Sequence, residues 1–420
     1  MFSCPQQKGV IMDKMKVYLL IGAVLIIIVL AIAIKQWIQG SPSPSSIAPH
    51  SIVTNFKGNP QTSRAFTWHT KSHDAATVLQ LAPGSGVASF DGKDALTFYG
   101  TTSQIRAKDG VLRGVHKVEA TDLAAGTRYT YRVGNGEKDG WSQPAEFETE
   151  ARETKEFTFI NVTDSQGITD DDFKLWGQTL VKAFETFPDA KFIIHNGDLT
   201  EDPEDESAWY SFFRHAEPWL RSSALMPVTG NHDEIDGKAE PFLSHFNLPE
   251  NGEKSANPGT SYSFDYGPVH FVFLNTESKV KKQAEWLRAD LAATNQPWII
   301  VALHQGPYGG KQKKSIVEHW VPLFDEFGVD LVLQGHNHEY SRSHPLKGNQ
   351  ITEEGTGTVY VVTNASGRKL NKKKDDQFYH RVHLQNGKPM FAGIRIQENA
   401  LTYEAYDIDG KRIDGFVLRK

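Results

Sequence analysis

The chain has 420 residues, 39% of them hydrophobic and 23% charged, with a net charge of -6 and a single cysteine. That length exceeds one ordinary core and implies two domains with additions, and the acidic balance carries no nucleic-acid footprint. One cysteine excludes an intrachain disulfide and a thiolate zinc site, so any metal is held by oxygen and imidazole.

Residues 1–16 read as a short cytoplasmic tail, with Lys8, Lys14 and Lys16 opposed only by Asp13. From Val17 to Ile34 the chain is apolar and uncharged for eighteen residues, enough to cross a hydrocarbon core of ~30 Å as a helix. The preceding lysines put the tail inside and everything after the helix outside the cytoplasm, which predicts a single-pass membrane anchor and makes the membrane a partner. Ala31-Ile32-Ala33 has the small-x-small pattern of a signal-peptidase site, so a signal cleaved after Ala33 and a secreted chain is the alternative. The absence of any polar face argues against a buried core helix. Residues 35–49, containing GSPSPSSIAP, form an extended, solvated linker.

Residues 50–150 read as an all-β sandwich. Segments 63–70, 76–83, 114–123, 128–135 and 145–150 are β-rich and separated by glycine and aspartate turns. Trp68 is an expected core aromatic, whereas His69 and His73 read as strand or surface residues and not as ligands. The DLAAGTRYTYRVG stretch from Asp122 resembles the penultimate strand of fibronectin type III-like domains. The module carries no chemistry of its own and is expected to be structural.

Residues 155–420 change pattern: apolar runs at 156–164, 191–198, 225–233, 270–277, 298–304, 330–338 and 358–366 alternate with helical segments at 171–187, 206–221, 281–294 and 315–327. In the first helix Phe173, Trp176, Leu180, Phe184 and Phe187 recur at helical spacing, acidic residues precede them and Pro188 ends the run. Alternation of strand and helix implies α/β layers. The last thirty or so residues return to strand alternation around Asp409-Gly410, predicting a closing hairpin. The stretch 368–388, with RKLNKKKDD, reads as a solvated loop, and 236–257 carries turn formers and His245 but no motif.

The chemistry sits where these strands end. Asp164 follows the first, Asp198 the second, Asn231 and His232 the third, His304 and then His336 and His338 later ones. A carboxylate after one strand is ordinarily a turn or cap residue. Caps do not explain Gly197, Gly230 and Gly335 immediately before three of these positions, nor two imidazoles two residues apart. Glycine there lets the backbone turn and approach a ligand, and ligands in α/β folds bind beyond the carboxyl ends of strands.

With GD, GNHD, VALH and GHNH in this order, the chain resembles the metallophosphoesterase (calcineurin-like phosphoesterase) superfamily. The preceding sandwich and GHNHEYSRSHP at 335–345 resemble its purple acid phosphatase branch. The resemblance covers nearly everything after residue 50 and implies a four-layer αββα catalytic domain behind a fibronectin-III-like sandwich. It implies one metal held by Asp198, Asn231, His304 and His336, and another held by Asp164, Asp198 and His338. The branch's tyrosine, three residues after the shared aspartate, is Glu201 here, and the histidine that other members place two residues after the first aspartate is Gln166. That leaves a vacancy for water, Gln166 or Glu201. It also removes the phenolate behind the purple colour and favours divalent zinc, manganese or iron.

The expected reaction is hydrolysis of a small phosphate ester by a hydroxide bridging two metals. His232, not a ligand in the resembled family, is expected to protonate the leaving alkoxide or stabilise transition-state charge, with Asp233 orienting His232, and His344 is a candidate substrate contact or loop residue. Monoester and diester hydrolysis share this core. The contrasting expectation is a catalytically impaired surface-binding module.

Overall fold

The computed structural model describes residues 46–235, 237–310 and 312–420. The apolar segment 17–34, the tail before it and residues 35–45 of the linker lie outside the described residues. Among those described, no helix is long and apolar enough to cross a membrane.

Eight strands build the first module: β1 (His50–Asn55), β2 (Arg64–Thr70), β3 (Val78–Pro83), β4 (Leu96–Tyr99), β5 (Thr101–Arg106), β6 (Leu112–Ala120), β7 (Arg128–Gly134) and β8 (Ala145–Glu148). They pair as two four-stranded antiparallel sheets, β1-β2-β6-β5 and β4-β3-β7-β8. Strands β1, β4 and β5 were not signalled by the sequence. In β4 and β5 the side chains are largely solvent-exposed, so no apolar alternation marks them. Phe66, Trp68, Leu79, Leu81, Tyr131 and Phe147 fill the space between the sheets, and Trp68 is fully buried, stacked on His116.

The second module begins with β9 (Phe157–Val162), α1 (Asp170–Thr186), β10 (Ala190–His195), α2 (Glu206–Leu220), β11 (Ala224–Pro227) and α3 (Glu240–Ser244). It continues with β12 (Tyr262–Tyr266), β13 (Val269–Leu274), α4 (Val280–Ala293), β14 (Trp298–Leu303), α5 (Lys314–His319), α6 (Val321–Phe327) and β15 (Leu331–Gln334). Strands β16 (Tyr340–Ser343), β17 (Leu346–Lys347), β18 (Gln350–Ile351), β19 (Val359–Val362) and β20 (His380–Leu384) follow, then β21 (Met390–Gln397), β22 (Ala400–Asp407) and β23 (Arg412–Arg419).

Two sheets, β11-β10-β9-β21-β22-β23 and β12-β13-β14-β15-β19-β16-β20, share one aromatic core. Phe159 and Phe192 stack at 5.2 Å, and Phe271 of the facing sheet meets both edge-on. Burying each ring contributes roughly 1.5–3 kcal/mol. Trp176 and Phe212 of α1 and α2 cover the outer face of the first sheet, while Leu287, Ile316, Trp320 and Phe324 of the other helices cover the second. The layers therefore run helix, sheet, sheet, helix.

The helix expected over 315–327 is two helices. Pro322 lies in the first turn of α6, where its missing N–H is harmless, but inside a continuous helix it would clash with the preceding turn. The closing hairpin is a three-stranded meander, β21 to β23, turning at Asp409-Gly410. The stretch 368–388 is not only a solvated loop: it ends in β20 and folds onto the centre described below. His69 is a strand residue but not a surface one. Alternation sends Trp68 into the sandwich and His69 out toward α2, where it is buried.

The sandwich is fastened to the second module. Asn55 donates to the Leu225 carbonyl at 2.6 Å and accepts from the Asn247 N–H at 3.0 Å, Tyr131 donates to the Arg221 carbonyl, and Phe56 packs between Phe192, Phe264 and Tyr266.

Candidate metal centre

Parallel pairing of β9, β10 and β11, and of β13, β14, β15 and β19, aligns the carboxyl ends of these strands. The loops beyond them interlock: Asp164 N–H donates to the Gly197 carbonyl and Gln166 N–H to the Asp198 carbonyl. Asp164, Asp198, His336 and His338 all have positive φ, between 51° and 71°, a region that costs a non-glycine residue about 1 kcal/mol or more. Such backbone persists only when its surroundings impose it. Gly197 also has positive φ, +89°. A Cβ at Gly230 would collide with the Asp198 carboxylate, and one at Gly335 with the Thr163 hydroxyl.

The donors form two groups that share Asp198: Asp198 with His304 and His336, and Asp164 and Asp198 with His338, each group having ligand atoms within 4.8 Å of one another. In the first, His304 Nε2 stands 3.2 Å from Asp198 Oδ2 and 3.2 Å from Asn231 Oδ1. Its Nδ1–H donates to the Asn196 carbonyl at 2.7 Å, which aims Nε2 into the centre. Asn196 is a residue that sequence reading missed. Its amide donates to the Leu303 and Leu333 carbonyls, tying β10 to β14 and β15 beneath the centre. In the second group His338 Nε2 is 3.1 Å from Asp164 Oδ1, and its Nδ1–H donates to the Lys369 carbonyl. Asp164 also accepts from the Thr163 hydroxyl at 2.6 Å and from the His336 N–H.

These residues fit divalent cations. Separations of 3.1 to 3.2 Å between donors match the edge of a coordination polyhedron with bonds of about 2.0–2.2 Å. Burial alone would raise Asp164 and Asp198, yet His338 beside the first and His304 beside the second hold both below the usual carboxylate range. Burial opposes charge on His304, but Asp198 raises it to about 10, and Asp164 likewise raises His338 against burial. Two buried carboxylates thus demand positive charge, which protons or metal ions supply. Gln166 Oε1 is a further buried oxygen with no hydrogen-bond partner among the described residues.

Around the centre, two expectations change. Asp233 does not orient His232: its carboxylate accepts from the backbone N–H groups of Asp198 at 2.6 Å, Leu199 at 3.0 Å and Gly230 at 2.8 Å, clamping two metal-side loops together. His232 is positioned instead by its own N–H on Asp198 Oδ1 and by its ring Nδ1–H on the Glu201 carbonyl, both at 2.9 Å. His344 follows β16, which runs antiparallel to β19. It therefore lies at the end of the sheet away from the centre, its N–H on the Tyr379 carbonyl, and is not placed to touch substrate.

Glu201, where the resembled branch has tyrosine, belongs to neither donor group. Lys369 reaches both of its carboxylate oxygens at 3.1 and 3.2 Å, and Gln166 donates to it at 3.1 Å. The basic stretch that contains Lys369 carried no motif. Its other contacts here include Asn371 on the Asn337 carbonyl and Lys374 on Glu339, a carboxylate buried directly after His338.

Residues 49–149 match the family model for the purple acid phosphatase N-terminal domain, and residues 157–340 that for calcineurin-like phosphoesterases. Acid phosphatase type 7 of Homo sapiens is 26% identical over 90% of this chain and 92% of its own. A protein of Arabidopsis thaliana called probable inactive purple acid phosphatase 9 is 27% identical over 59% of this chain and 46% of its own. The purple acid phosphatase from yellow lupin (Lupinus luteus) seeds shares the fold, with a TM-score of 0.75 at 18% identity over 89% of this chain and 74% of that one.

Proposed function

Because the chain belongs to the metallophosphoesterase superfamily as a purple acid phosphatase-like, metal-dependent phosphoesterase, we propose that it hydrolyses small phosphate esters at a dinuclear centre facing the outside of the cytoplasm. The observation that supports the dinuclear reading is the shared Asp198, buried between two donor groups. One ion would be held by Asp198, Asn231, His304 and His336, the other by Asp164, Asp198 and His338, with Gln166 Oε1 as a buried oxygen left without a partner among the described residues. When bound, such ions supply Lewis acidity toward phosphate oxygens and lower the pKa of water. The protein's own part is fixed geometry. The carbonyls of Asn196 and Lys369 hold His304 and His338 with Nε2 inward, and the Asp233 clamp keeps the Asp198 and Asn231 loops in register. His232, anchored through Nδ1, keeps Nε2 free to pass a proton to the departing alkoxide. The outside location is supported by the lysine-flanked apolar run 17–34, and the sandwich in front is read as fibronectin-III-like.

The test is to load the stripped chain with zinc, manganese or iron and assay a chromogenic monoester beside a diester. Two metals per chain and turnover of either ester are expected; no turnover with any metal at full loading would overturn the reading. A second reading, an impaired binding module, is favoured by one feature: Glu201 is engaged by Lys369 where a ligating tyrosine is usual in the resembled branch. Fewer than one metal bound under all conditions would select it.

A further inference from the structure

Outside the two donor groups of the metal centre, a second set of histidine and carboxylate donors closes the seam between the two modules. His69 of β2, Glu206 at the start of α2 and His245 just after α3 lie with one ligand atom each within 4.8 Å of one another. Their side chains are 1%, 6% and 1% exposed. His69 Nδ1 is 3.6 Å from Glu206 Oε2, and His245 Nε2 is 3.2 Å from Glu206 Oε1. Charge-assisted hydrogen bonds are shorter, about 2.7–2.9 Å. None of His69 Nδ1, His245 Nε2 and Glu206 Oε1 finds a hydrogen-bond partner among the described residues.

The tautomers sharpen this. His69 Nε2–H donates to the Ser244 carbonyl at 3.3 Å, so in the neutral ring Nδ1 carries a lone pair aimed at a carboxylate. His245 has no partner on either ring nitrogen among the described residues, so its Nε2 is free to turn a lone pair toward Glu206, and a cation between the two rings and the carboxylate would satisfy all three atoms. The spacing, 3.2 to 3.6 Å, brackets the edge of a zinc tetrahedron built on bonds of about 2.0–2.1 Å. The same pattern, a histidine with one nitrogen tied to a backbone carbonyl and the other facing a carboxylate, occurs at His304 and at His338 in the metal centre. Both rings are held rigidly: they stack on each other at 4.4 Å, and Trp209 stacks on the far side of His245 at 4.2 Å.

We propose that His69, Glu206 and His245 bind one zinc ion that staples the β-sandwich to the catalytic module. Three protein donors leave the fourth position to water or to His50, whose ring lies 6.1 Å from that of His69. The site takes one donor from the sandwich and two from the catalytic module, so it forms only when the modules are docked, and zinc binding adds to the stability of that docking.

The test counts zinc per chain on the full chain, stripped with chelator, reloaded with Zn(II) and desalted. His69→Ala/His245→Ala is expected to hold about one zinc fewer than the parent, while His304→Ala/His336→Ala keeps that ion and loses zinc from the other centre. Because the two variants address different centres, failure of this site and failure of the dinuclear reading are distinguishable. Should the double alanine variant not fold, Glu206→Gln keeps the shape and removes the charge, and its zinc affinity is expected to drop about tenfold or more at this site alone. Equal zinc in the His69/His245 variant and the parent, or Glu206→Gln binding within twofold of the parent, would mean a buried ion-pair cluster only and overturn the proposal.

Discussion

The two halves of the metal centre share Asp198 but are built differently. Around Asn231, His304 and His336 every donor leaves a strand end or its following loop, and the supporting contacts come from neighbouring strands: Asn196 under His304, and Asp233 across the Asp198 and Asn231 loops. Around the other half Asp164 is held by Thr163 and the His336 N–H, but the support of His338 comes from the 368–374 stretch, through the Lys369 carbonyl on its ring, with the Lys369 ammonium on Glu201 beside it. The first half is held by the sheet and the second in part by a loop. A loop closes on its target with less local stability than a strand, so the second half is where affinity for metal is adjustable.

Breaking what the halves share gives the largest effect. Asp198→Asn removes the bridging charge from both, and turnover is expected to fall by about 10³-fold or more with loss of both metals; retention of both metals by elemental analysis would refute the shared role. His232→Ala comes next. Its ring touches neither donor group and the alanine keeps the backbone N–H on Asp198, so turnover falls by about 10² to 10⁴ while metal content stays at the parent value. Equal loss of metal and activity would make the His232 ring a support of the loop after Asp198, through its bond to the Glu201 carbonyl, and not the proton donor. Single alanine variants then separate the halves: His304→Ala is expected to lose the tighter metal, and His338→Ala only the weaker one, read from metal titrations of each. The reverse order of affinities would invert the contrast drawn above.

Much of this centre was legible in the chain because parallel strands end together, and polar groups placed just past apolar runs converge whatever the details of packing. Asp164, Asp198, Asn231, His304, His336 and His338 were readable for that reason. Side-chain direction within a turn was not: Asp233 follows His232 directly, yet its carboxylate turns back to three N–H groups of neighbouring loops. His344 failed on strand direction, since a run after GHNH continues away from the centre once β16 proves antiparallel. His69, Glu206 and His245 come from three distant segments, and only the docking of one module on the other unites them. Lys369 was hidden by distance too: it lies in a stretch read as a solvated loop, and its partner Glu201 comes 168 residues earlier.

Lys369 also offers the finest probe of the weaker half. Lys369→Met keeps the backbone carbonyl that orients His338 and removes only the ammonium. The pair is 45% and 31% exposed, so its loss costs the fold little, about 0–1 kcal/mol, and the midpoint of thermal unfolding barely moves. Glu201 is another matter. Burial raises its carboxyl, but Gln166 and Lys369 more than offset that and hold it below the ordinary glutamate value, so it stays ionised across neutral pH with or without the lysine. Released from Lys369, that negative charge stands uncompensated beside the Asp164 half, close to the free oxygen of Gln166. Metal affinity of this half is therefore expected to rise a few-fold, with turnover changed by less than about threefold. The control is Glu201→Gln/Lys369→Met, in which the released charge is gone and the affinity returns toward that of the parent. A tenfold loss of metal from Lys369→Met alone would instead make the ammonium a brace for the second half, and Glu201 would no longer count as a ligand held in reserve.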